Sequence, residues 1–98
     1  MYHEKFLIGE LEAKADQILK HFNFEKVHAH MEATNWGWAT SEGYKIPSID
    51  QIKDQAHRLL INVIWEEEHV ANISTGGFHA YKMPWGLELT FSIEWGHR

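Results

Sequence analysis

The sequence has no cysteine, only two prolines, Pro47 and Pro84, and fewer basic than acidic side chains, and each shortage closes off a class of function. Without cysteine there is no disulfide framework, no thiolate metal site and no thiol nucleophile, which suits a reducing cytoplasm. Nine Lys and Arg against fourteen Asp and Glu give a net charge of −5 with histidine neutral. Capture of a nucleic-acid backbone needs a basic surface that releases counterions, so direct binding of that kind is not expected. Long apolar runs are missing too. No stretch reaches the length of about 18 residues that spans a bilayer. The opening MYHEKFLIGE meets Glu10 after too few apolar residues for the hydrophobic region of an export signal. The expectation is a soluble, cytoplasmic chain with no membrane contact.

What is present is the composition of a folded chain: 44% apolar residues, five Trp and 23% charged residues in 98 positions. That length predicts a single domain, residues 1–98, with no repeat, linker or low-complexity tract. So small a domain buries only a modest share of its surface, and it carries more large aromatics than it can readily cover. Homo-oligomerisation, most simply a dimer, is therefore expected.

Periodicity predicts three helices and a small sheet. Leu7, Leu11, Ala15, Ile18 and Phe22 recur at helical spacing, predicting a first helix from about Glu4 to about His21. Asn23 can cap a short second helix whose face is Phe24, Val27, His28 and Met31, with Asn35 as its stop. Trp36 and Trp38 then share one side of an extended segment that turns at Ser41, Glu42 and Gly43. Ser48 three residues before Gln51 is a capping-box pattern. It opens a third helix with the stripe Ile49, Ile52, Ala56, Leu59, Leu60, Val63 and Ile64, widened by Ile61 and Trp65. Strict alternation of Leu87, Leu89, Phe91, Ile93 and Trp95 with polar residues predicts a half-buried strand over 87–95, packed on the third helix. Its hairpin mate is 78–83, joined through Pro84, Trp85 and Gly86. The fold class is α+β, with three helices packed on a small antiparallel β-sheet that ends in a C-terminal hairpin.

Several clusters invite chemistry. Glu25 with His28 and Glu66 with His69 each set a Glu three residues before a His, a spacing that lets both reach one ion on a helix. Among eleven Glu and eight His such pairs arise by chance, and di-iron bundles need further Glu from two more helices, so neither metal nor cofactor is assigned. Ser74 or Thr75 near His79 could form a nucleophile and base, but no Gly-x-Ser-x-Gly elbow is present and only Glu88 or Glu94 could orient the histidine. A turn with polar caps is the plainer reading, and an enzyme is not expected. Ser74, Thr75, Gly76 and Gly77 can also be read as an anion-holding turn, because neighbouring backbone amides around glycines make a concavity for phosphate or carboxylate. It is not a Walker loop, since no Gly-Lys-Ser/Thr follows. Trp36, Trp38, Tyr44, Tyr81 and Trp85 lie outside the helical stripes and can stack on a base, anchor a partner or close the core. Trp85, at a hairpin tip, is the better candidate for a contact surface.

Taken in order, FNFEKVHAHMEATNWGW, IPSIDQIKDQAHRLL and ISTGGFHAYKMPWGLELTFSIEW resemble a group of small uncharacterised proteins of tailed bacteriophages and prophages. That group shares a Trp-x-Trp after a short helix and a Ser-Thr-Gly-Gly-Phe before the last strands, over residues 22–95 of this chain. The resemblance implies a source, and the cytoplasm of a host cell as the location, without implying a mechanism. Small acidic phage proteins often act by binding. The resulting expectation is an accessory, counter-defence binding protein that sequesters a nucleotide-type ligand or blocks a host defence protein. A virion or replication accessory protein is the alternative, and a small metal-dependent enzyme the third reading. The expected ligand site is the corner of Ser74, Thr75, Gly76 and Gly77, with His79, Tyr81, Trp36 and Trp38 as walls.

Overall fold

The structure, a computed structural model, describes residues 8–91. The expected start of the first helix at residues 4–7 and the end of the last strand at 92–95 lie outside them. Helix α1 (Ile8–His21) buries Leu11 and Ala15, one turn apart. Helix α2 (Phe24–Thr34) starts where the Asn23 side chain accepts the Lys26 amide at 2.9 Å. It stops at Asn35, whose φ of 55° lies in the left-handed region, and the Trp36 amide reaches back to the Met31 carbonyl at 2.9 Å. That six-residue closure is a Schellman cap, and it fixes where Trp36 enters the next segment.

Strands β1 (Trp38–Thr40) and β2 (Gly43–Lys45) form a separate two-stranded hairpin. Helix α3 (Ile49–Ile64) has both arms of the capping box, Gln51 N–H to Ser48 Oγ at 3.2 Å and Ser48 N–H to Gln51 Oε1 at 2.8 Å. Its stripe of Ile52, Ala56, Leu59, Leu60, Val63 and Ile64 is the centre of the core. Trp65 departs from expectation: it is the C-cap residue, with φ −85° and ψ 0°, so the chain turns away there and the ring is 61% exposed. Because the helix ends at Ile64, Glu66 and His69 also lack the helical spacing on which a shared ion would depend.

Three antiparallel strands follow in the order β3 (Ala71–Thr75), β4 (Phe78–Met83) and β5 (Gly86–Phe91). The register sets Ala71, Lys82 and Leu87 in one row, Ile73, Ala80 and Leu89 in the next, and Thr75, Phe78 and Phe91 in the third. These rows face the helices. Asn72, Ser74, His79, Tyr81, Glu88 and Thr90 face the other way, because successive side chains on a strand alternate. The architecture is α+β as expected, and β3 is a strand where the sequence suggested only the approach to a turn. The partner of the last strand also differs: α1 lies along β5, whereas α3 covers β4 and β3. No described helix is long and apolar enough to cross a membrane.

Candidate functional site

The turn between β3 and β4 is two residues long, since Thr75 pairs directly with Phe78. One two-residue hairpin turn that follows the strand twist has positive φ at both central residues, and Gly76 and Gly77 supply +58° and +88°. The flanking Thr75 and Phe78 make the ladder bonds, so the two glycine amides stand outside the ladder.

The glycines do a second job. A Cβ at Gly76 would stand 3.1 Å from Trp38 Nε1, and one at Gly77 would stand 2.7 Å from Phe91 Cε1 and 2.9 Å from Trp36 Cη2. Trp36 and Trp38 therefore lie against the turn while packing on the hydrophobic core. Trp36 meets Phe91 edge-on at 5.6 Å, and Phe91 meets Phe78 at 4.8 Å. The Trp38 Nε1 is buried with no hydrogen-bond partner among the described residues.

The eight expected site residues thus gather around one corner but divide between its two sides. Thr75 takes the helix-facing register and Trp36 and Trp38 pack on the core, while Ser74, His79 and Tyr81 take the outer face. Ser74 and Thr75 cannot present their hydroxyls together, because they alternate. On the outer face Ser74 Oγ lies 2.6 Å from His79 Nδ1, and the rings of His79 and Tyr81 are nearly parallel, 18° apart with centroids at 6.4 Å. With the ring nitrogen unprotonated the serine donates to it. With the nitrogen protonated the ring donates and the serine hydrogen is released towards a ligand. His79 is only 7% exposed despite facing outwards.

Lys82 was not anticipated as a special residue. It is wholly buried in the inward row of β4, and its Nζ donates to the Ile64 carbonyl at 3.4 Å and to the Glu66 carbonyl. Ile64 is the last residue of α3, with a carbonyl the helix cannot satisfy internally, and Glu66 lies two residues beyond it in the loop. Burial holds the Lys82 ammonium below the ordinary lysine value of 10.5, while the carboxylates of Glu66 and Glu68 pull it the other way. The signal was in the sequence: in FHAYKM the alternation that buries Phe78 and Ala80 also buries residue 82.

A hollow of about 670 Å³ lies away from this corner, where the joint between α1 and α2 meets the start of α3. Charges of both signs rim it, Asp16 and Lys20 on one side and Lys53 and Asp54 on the other, so it selects no ligand by sign. Among the described residues no group of three or more His, Asp or Glu is placed to hold a metal ion. Comparison of the chain with protein-family models, curated proteins and solved structures finds no match.

Proposed function

We propose that the chain is a binding protein that holds a small anionic ligand, a nucleotide in the first instance, on the outer side of the Gly76 and Gly77 corner without turning it over. The observation that carries this reading is the 2.6 Å contact between Ser74 and His79 beside two amides that stand outside the ladder. Backbone amides and a serine hydroxyl are donors suited to phosphate, His79 adds positive charge when protonated, and Tyr81 offers a face for a base. The resemblance to small phage proteins supplies the setting, counter-defence by sequestering a nucleotide signal, and that setting rests on the resemblance alone.

The test is to denature the purified protein, analyse released small molecules by mass spectrometry, and titrate linear and cyclic nucleotides by calorimetry. A bound nucleotide, or saturable binding that tightens on acidification, is expected. Ser74→Ala should weaken it about tenfold, the loss of one good hydrogen bond to a charged group, and His79→Ala should also flatten the pH dependence. If nothing is released and nothing binds at high micromolar concentration, the corner is only a turn and a protein-blocking role takes its place.

A further inference from the structure

At the other end of β4 lies a surface of a different kind. Four large hydrophobic side chains are exposed among the described residues, and three belong to one end of the molecule: Trp65 at 61%, Val70 at 46% and Trp85 at 68%. Trp65 closes α3, Val70 immediately precedes β3, and Trp85 is the tip of the β4–β5 hairpin. Lys82 ties these segments together, because its Nζ binds the carbonyls of Ile64 and Glu66 from a position one residue before the hairpin end at Met83. The Trp85 ring is held as well, its Nε1–H donating to Glu88 Oε2 at 3.0 Å. The rings are therefore presented by fastened backbone, which lowers the ordering cost of a contact.

The exposed carboxylates among the described residues of these segments outnumber the cations, since Lys82 is buried beneath the loop and His69 is the one other basic side chain there. Glu66, Glu67 and Glu68 follow Trp65 directly and are all exposed, and Glu88 flanks Trp85. Exposed tryptophans within a rim of like charge are the pattern of an interface whose anchors insert into apolar pockets while the rim selects the partner by charge. The acidic rim opposes a phosphate backbone, an anionic membrane and a second copy of the same face, since two such rims would repel.

We propose that the α3 end, the 65–70 loop and the β4–β5 tip form a docking surface for a basic partner protein, with Trp65 and Trp85 as anchors and Glu66, Glu67, Glu68 and Glu88 as the selecting rim. This surface is independent of the corner proposed for the anion, which lies at the opposite end of β4.

The test uses the full chain and, as a probe, a synthetic helical peptide with arginine on one face and leucine on the other, followed by tryptophan fluorescence and calorimetry. Saturable one-to-one binding that weakens steeply with salt is expected. Trp85→Ala and Glu67→Lys should each weaken it at least tenfold, with the circular dichroism spectrum unchanged because both side chains are exposed. Absence of saturable binding up to about 100 μM, a range in which even weak specific contacts register, would overturn the proposal. So would equal binding by the variants. Sedimentation as a dimer that Trp85→Ala dissociates would assign the surface to a second copy, and binding to phosphatidylglycerol vesicles to a membrane. Either result overturns the basic-partner assignment.

Discussion

The two turns that bound β4 are of equal length, yet they are built in opposite ways. At the Phe78 end both central residues are glycines with positive φ, and rings from distant parts of the chain occupy the space their side chains would have filled. At the Met83 end Pro84 and Trp85 keep negative φ, proline presets the bend, and the tryptophan side chain points into solvent. Roughly 17 Å of strand separates them. The difference sorts the tryptophans: Trp36 and Trp38 close the fold around a turn, whereas Trp85 lies outside it. Only at the first turn do local conformation and tertiary packing demand the same residue.

Gly77→Val is the hardest blow to that contrast. A side chain in the left-handed region costs about 1–2 kcal/mol, and overpacking against Phe91 and Trp36 adds about 1–3, so denaturant unfolding should show a loss of about 3 kcal/mol. A loss under about 1 kcal/mol would mean that the rings simply move aside.

Lys82→Met probes what holds the far end together, through its pH dependence. Because burial lowers the folded-state pKa, the unfolded chain binds the proton more readily between that lowered value and 10.5. Stability therefore gains from Lys82 as pH rises through this window and loses that gain as pH falls through the folded pKa. Methionine should remove this component, leaving a flatter alkaline profile than the wild type. Parallel profiles would show that Lys82 titrates normally.

Trp38→Phe should change stability by less than about 1 kcal/mol, since the lost ring area is offset by removing a buried N–H that has no partner among the described residues. Trp85→Ala should be smallest, within about 0.5 kcal/mol, because little surface is uncovered. A larger loss there would make the second turn structural like the first.

Much of this was legible in the residues. Ser48 and Gln51 announced α3, and the alternation from Leu87 announced β5, because both signals are local. Strand β3 was not legible: its inward Ala71 and Ile73 are interleaved with Asn72 and Ser74, a polar mixture that reads as a loop until β4 pairs with it. The site was half legible for the same reason. Glycines with a neighbouring serine and histidine could be grouped by proximity in sequence, but which hydroxyl joins His79 depends on strand alternation. Trp65 misled because the stripe continues past the point where the helix stops.

The seating of α1 against β5 gives the chain a temporal order during synthesis. The first described helix rests on the last described strand, so a ribosome must deliver nearly everything between them before that contact can exist. At roughly 5–20 residues per second, the emerging α1 waits some seconds for it. Meanwhile α3 is the only other described helix or strand on which α1 packs substantially, so an early helical pair would shelter Leu11 and Ala15 until the last described strand joins them.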